Sequence, residues 1–107
     1  MKLMAGLMAG VALLAGGVAF AGQKLGQQQS ERAPEETYAK TCGYCHGKNV
    51  GPVIRGRALP AEAISMIVRH GQNGMPAFRQ TEITKSELDK LAAWITASKA
   101  DPKEMGQ

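Results

Sequence analysis

Cys42-Gly43-Tyr44-Cys45-His46 is the stretch on which the reading of this sequence turns. It has the form of a c-type haem attachment motif. Thiols three positions apart lie on the same side of a helical turn and can each add to one haem vinyl group, while the histidine that follows is aimed at the iron. Three rival readings explain less. A redox dithiol asks for a βαβ context, and no period-two strand pattern occurs anywhere in the chain. A structural zinc site would have to recruit His70 as the fourth ligand, at no familiar finger spacing. A local disulfide accounts for both cysteines and leaves His46 without a role.

Outward from the motif, three helical stretches stand out. Pro34 suits a first helical turn, and Glu35 and Glu36 favour the positive end of the helix dipole, which predicts a helix from Pro34 to about Cys42. After Pro60, Ile64, Ile67 and Val68 fall on one face at helical spacing, and Gly71 supplies a left-handed stop. The third helix is announced by a capping box, Thr84-Lys85-Ser86-Glu87, with Ile83 and Leu88 at the positions of a hydrophobic staple. Leu88, Leu91, Ala92 and Ile95 continue it as an apolar stripe. The expectation is an all-α domain over residues 34–98, with long glycine- and proline-rich connections from Gly47 to Leu59 and from Gly71 to Glu82. Such connections are too irregular to pack alone, and one covalent haem is what they are expected to wrap around.

The 107 residues bound the chain to one small domain and exclude a multi-domain enzyme. A core of this size is marginal without a staple, and two cysteines supply at most one disulfide. Residues 1–21 are read separately. Lys2 precedes an uncharged apolar run from Leu3, and Ala19-Phe20-Ala21 fits a small-x-small cleavage site, so the segment reads as a secretory signal peptide cut after Ala21. A retained membrane anchor is the competing reading, weakened by Gly6, Gly10, Gly16 and Gly17 in a run of marginal length. Cleavage removes Lys2 and leaves the mature chain one charge below the formal +4. With no block of like charge and no basic run interleaved with aromatics, nucleic-acid binding has no support. Residues 22–33 are polar and aperiodic, a flexible leader. Residues 99–107 form a polar tail expected to fray or lie on the surface.

The sixth iron ligand separates an electron carrier from a haem enzyme, and Met66, Met75, Met105 and His70 are the candidates. Met66 falls inside the second helix and Met105 in the tail. His70 suits a helix end, where a cationic imidazole meets the dipole. Met75 lies in Gln72-Asn73-Gly74-Met75-Pro76-Ala77-Phe78, where Gly74 and Pro76 are expected to shape an extended turn that holds a thioether against a haem face, backed by Phe78. His46 and Met75 are therefore the expected axial pair.

The order Cys42 to His46, Gly51-Pro52, Met75-Pro76 and then a helix carrying Trp94 resembles the class I c-type cytochromes over about residues 34–98. The resemblance implies that the Pro52 carbonyl accepts the second ring proton of His46. It also implies that the last helix crosses the first with Trp94 near Tyr38. Arg55 and Arg57 are candidates to meet the haem propionates, Arg57 being favoured. A narrower resemblance lies in Gly51-Pro52-Val53-Ile54-Arg55-Gly56-Arg57-Ala58-Leu59-Pro60, followed by Ile64, Ile67-Val68-Arg69, Gly71 and Met75-Pro76-Ala77-Phe78. These residues are similar to the cytochrome subunits of 4-cresol dehydrogenase and related flavocytochromes, eugenol hydroxylase among them, that oxidise 4-alkylphenols.

That resemblance implies a non-enzymatic electron-transfer protein in the periplasm, carrying one haem c and taking single electrons from a flavoprotein dehydrogenase for a downstream periplasmic acceptor. No membrane insertion is expected after signal cleavage. Tyr44, Pro76, Ala77 and Phe78 are candidate docking positions. Two other readings stay open: a freely diffusing carrier between a flavo- or quinoprotein dehydrogenase and an oxidase, and a haem enzyme or gas sensor in which Met75 is not bound.

Overall fold

The fold is described from a computed structural model, which covers residues 30–106. The signal-peptide expectation for residues 1–21 lies outside the described residues, as does most of the leader. Within them the protein is all-α, with no strand and only two isolated bridges, Lys48 with Met105 and Gln72 with Met75. None of the described helices is long and apolar enough to cross a membrane.

The first helical run begins at Pro34, as expected, but continues past Cys42 through the whole Cys-x-x-Cys-His motif. It comprises α1 (Pro34–Thr37), a π-helical stretch (Tyr38–Cys42) and α2 (Gly43–His46). The wider turn is closed by the Gly43 amide, which donates to the Tyr38 carbonyl. Such π segments are rare and recur at functional sites.

The second run is α3 (Ala61–His70), with Ile64 and Val68 buried and Ile67 half-buried. It stops where Gly71 takes φ 73° and ψ 166°, a conformation essentially confined to glycine. The third is α4 (Lys85–Ala97), and its capping box is complete: the Thr84 hydroxyl accepts from the Glu87 amide and the Glu87 carboxylate from the Thr84 amide, both at 3.1 Å. Ile83 and Leu88, the staple pair, are both buried.

Leu88, Leu91, Ala92 and Ile95 of α4 form the centre of the core with Tyr38, Ile64, Val68 and Ile83. α4 packs against both α1 and α3. Tyr38 and Trp94 meet with ring centroids 5.2 Å apart and planes tilted by 50°, so the first and last helices cross where the resemblance implied.

Both polar ends are tied down more than their composition suggests. Within the leader, Arg32 donates to the Glu87 carboxylate and to the Glu82 carbonyl, and Glu31 accepts from Lys90 and Ser86. The tail, expected to fray or lie on the surface, is bonded at Asp101, Glu104 and Met105. Tyr38 donates to Glu104 at 3.0 Å, and Asn49 donates to the Met105 carbonyl at 2.8 Å. Composition alone misses such docking because the partners lie far away in sequence, fifty or more residues from Arg32 and Tyr38.

Candidate haem site

Cys42 ends the π-helical stretch, and Cys45 and His46 lie on α2 one turn further on. Both thiols are free; Cys42 is half-buried against the core and Cys45 is exposed. Burial pushes the Cys42 thiol up to about 11. That is opposite to the lowered value a reactive dithiol needs. Among the described residues, no group of three or more His, Cys, Asp and Glu side chains is placed to hold a metal ion, which leaves the zinc reading without a site.

His46 Nδ1 lies 2.7 Å from the Pro52 carbonyl oxygen. A carbonyl can only accept, so Nδ1 carries the proton and Nε2 keeps its lone pair for a metal. The imidazole fits against Gly51 because that residue has no side chain: a Cβ there would sit 3.2 Å from Nδ1 and 3.3 Å from Cε1. The loop returning from His46 to Pro52 folds on the Cys45 carbonyl, which accepts from Gly51 at 2.9 Å and Val50 at 3.3 Å.

Met75 is delivered by a tight turn. The amide of Met75 donates to the Gln72 carbonyl at 2.9 Å and that of Gln72 to the Met75 carbonyl at 3.1 Å. The left-handed residue of this turn is Asn73, at φ 52°, rather than Gly74, whose absent side chain is not needed: a Cβ there would meet nothing within 4 Å. Asparagine tolerates that region better than other side chains do. The glycine that matters is Gly71, where a Cβ would lie 2.7 Å from the Met75 carbonyl oxygen.

Beyond the turn, Phe78 donates to the Val68 carbonyl at 2.8 Å and accepts from Arg69 Nη1 at 3.2 Å, which fastens the loop to α3. The other amino group of Arg69, Nη2, and the Arg55 Nε are buried with no acceptor among the described residues. Met75 and Phe78 pack against the same buried cluster as Cys42, Ile54 and Leu59.

The Met66 side chain is 59% exposed, and His70 Nδ1 turns back to the Met66 carbonyl at 2.8 Å, a helix-end bond. Met105 is exposed. Arg57 donates to the Val53 carbonyl. Arg55 is committed to Asp101 and Glu104 and stacks over Trp94, its guanidinium carbon 5.0 Å from the ring centroid. Tyr44, Pro76 and Ala77 are exposed, Tyr44 at 68%, while Phe78 is half-buried.

Sequence reasoning missed Glu104. Its carboxylate accepts from the Tyr38 hydroxyl and from Arg55, linking the tail to the helix just before Cys42. Burial, with that carboxylate beside it, pushes the Tyr38 hydroxyl above its usual range, so it stays a donor.

The donor set fits haem c: two free thiols at helical i, i+3 spacing, an imidazole with Nε2 available, and a half-buried thioether on a fastened turn. Comparison with known proteins points the same way. Residues 29–95 match the family described as cytochrome c oxidase, cbb3-type, subunit III. The cytochrome c subunit of 4-cresol dehydrogenase (hydroxylating) from Pseudomonas putida is 37% identical over 93 residues, which span 85% of this chain and 81% of that protein. The cytochrome c subunit of menaquinol:cytochrome c reductase from Geobacillus thermodenitrificans is 42% identical over 60 residues, 50% of this chain but 23% of that longer protein. In the crystal structure of p-cresol methylhydroxylase with substrate bound, one chain matches with a TM-score of 0.58 and 38% identity, covering 64% of this chain and 95% of its own length.

Proposed function

The chain belongs to the cytochrome c family, and from that premise we propose that it carries one haem c on Cys42 and Cys45, ligated by His46 and Met75. On this reading it is exported to the periplasm by residues 1–21, with residues 34–98 as the haem domain. There it accepts single electrons from a flavoprotein dehydrogenase that oxidises 4-alkylphenols and hands them to a downstream periplasmic acceptor. The observation that carries the reading is the 2.7 Å contact between His46 Nδ1 and the Pro52 carbonyl, which assigns the ring tautomer a metal requires.

Haem iron held by histidine and methionine supplies a one-electron couple, the thioether raising its potential. The protein's own part is to fix donors and exclude water. Pro52 holds the His46 proton on Nδ1, and the Gln72–Met75 turn presents the thioether. Ile54, Leu59 and Phe78, packed on the core, supply an apolar surround, and low polarity there favours the less charged ferrous form. With His46 and Met75 as its protein ligands, the iron would transfer electrons without a substrate bound to it. Exposed Tyr44, Pro76 and Ala77 flank the two ligand segments, where a redox partner would approach.

The partner assignment rests on the likeness to the 4-cresol dehydrogenase subunit, whose length the chain nearly spans. It is tested by purifying the haem-loaded protein from its native periplasm without dissociating salt. Flavin is expected in the same fraction, with haem reduction on addition of a 4-alkylphenol. A methionine-ligated haem protein running alone as a small monomer would instead identify a freely diffusing carrier.

A further inference from the structure

The C-terminal segment is the best-anchored part of the protein to which the proposed function gives no role. Asp101 and Glu104 both pair with Arg55 Nη1 at 3.5 Å. The Glu104 carboxylate also accepts from the buried Tyr38 hydroxyl at 3.0 and 3.1 Å. Met105 then lies along the loop that follows His46: its amide donates to the Gly47 carbonyl at 3.2 Å, and its carbonyl accepts from the Asn49 amide at 2.8 Å. Two glycines permit the approach. A Cβ on Gly47 would fall 3.2 Å from Glu104 Cγ, and one on Gly106 would fall 2.7 Å from the Gly51 carbonyl oxygen and 2.8 Å from the Val53 amide nitrogen.

These contacts fall at residues 47, 49, 51 and 53, on alternate positions of the loop that begins at His46 and delivers the Pro52 carbonyl to His46 Nδ1. Asn49 in that loop stands at φ 60°, a left-handed conformation that asparagine tolerates better than other side chains, and its amide is the one that bonds the Met105 carbonyl. Apart from the strap, the loop's backbone bonds converge on one acceptor, the Cys45 carbonyl.

We propose that residues 101–106 are a positioning strap for His46, with Glu104 as its latch: by clamping the loop from Gly47 to Val53 they hold the Pro52 carbonyl against Nδ1. The inference rests on the reading of His46 as an iron ligand. The bond at Nδ1 sets the orientation of the ring and the basicity of Nε2. A tight bond makes the imidazole a stronger donor and favours ferric iron; slackening the strap therefore moves the couple toward the ferrous form.

The test compares holoprotein variants by reduction potential and by amide hydrogen exchange at Asn49. Tyr38→Phe removes a donor to the latch, and Gly106→Ala pushes the strap from the loop, neither changing charge; Glu104→Gln removes a charge as well. All three are expected to speed Asn49 exchange about tenfold. They are also expected to shift the redox equilibrium two- to threefold toward the ferrous form, ~20–30 mV at 59 mV per decade. A shift in Glu104→Gln alone is what lost charge would give, and overturns the proposal. Unchanged potentials with a freely exchanging Asn49 amide overturn it too. A wild-type protein without histidine-ligated haem would overturn the functional reading itself, and is told apart by its spectrum before any variant is made.

Discussion

Replacing Gly71 with alanine should dislodge the turn that carries Met75, and its size follows from the backbone. Gly71 sits at φ 73°, ψ 166°, a region nearly closed to residues with a Cβ, and occupying it costs roughly 1–3 kcal/mol. The new methyl group would also lie 2.7 Å from the Met75 carbonyl oxygen and 2.9 Å from the Ala77 amide nitrogen. Both contacts are to backbone, so the whole turn must move by about half an ångström, adding on the order of 1–2 kcal/mol of lost packing. The expected total is ~2–5 kcal/mol. At about 4–8 °C per kcal/mol for a domain of this size, the melting temperature should fall by at least ~8 °C. Gly74→Ala, three residues on, is the control, because a Cβ there meets nothing within 4 Å and the backbone is ordinary. Thermal unfolding of the two holoproteins, read with the far-red methionine-to-iron charge-transfer band, makes the comparison. Gly71→Ala should be strongly destabilised and lose the band; Gly74→Ala should match the wild type within ~0.5 kcal/mol. Two variants of equal stability, both with the band intact, would refute the account of how this turn is held.

Met75→Ala should open the sixth position, so that the ferrous protein binds carbon monoxide readily and the potential falls; a spectrum unchanged by carbon monoxide would exclude Met75 as the ligand. Cys45→Ser should leave one thioether and red-shift the pyridine haemochrome band, which the absorption spectrum reads directly. Glu87 is held down to about 2 by the Arg32 guanidinium, aided by the Arg32 and Thr84 amides. A carboxylate depressed below its usual 4.5 stabilises the fold above that pH and loses its contribution as pH falls toward 2. Arg32 is 31% exposed, so screening limits the effect. Glu87→Gln should cost ~1–2 kcal/mol at pH 7 and almost nothing near pH 2, as denaturant melts at the two pH values would show.

The parts of this fold legible in the sequence are those written in local spacing. The capping box at Thr84 and Glu87, the stripe along α4 and the stop at Gly71 each need only residues within a turn or two of one another, and each forms as read. The all-α class follows from them. The π-helical stretch escaped because nothing in Tyr38–Cys42 distinguishes a wide turn from an ordinary one; its first residue, Tyr38, packs against Trp94 and Arg55 from distant parts of the chain. Gly74 and Pro76 are the residues from which the sequence predicts the Met75 turn; its left-handed residue is Asn73, enclosed by the paired bonds between Gln72 and Met75. The tail lies on the surface, as read, but the bonds that anchor it are not legible in its composition. Its polarity signals a solvated end, whereas the Tyr38–Glu104 and Arg55–Asp101 pairs join residues far apart in sequence, and no local pattern announces them. Arg55 illustrates the same limit: its place over Trp94 depends on α4 and the tail together, and no local pattern announces it.

The most direct test of the central claim is the intact mass of the protein purified from a host with c-type haem maturation, taken together with its ferric and pyridine haemochrome spectra. The account predicts a chain beginning after Ala21 and heavier by one haem, a haemochrome of the two-thioether type, and a low-spin ferric spectrum with the methionine band. An unmodified mass with two titratable thiols, from a host that loads other c-type cytochromes, would contradict it.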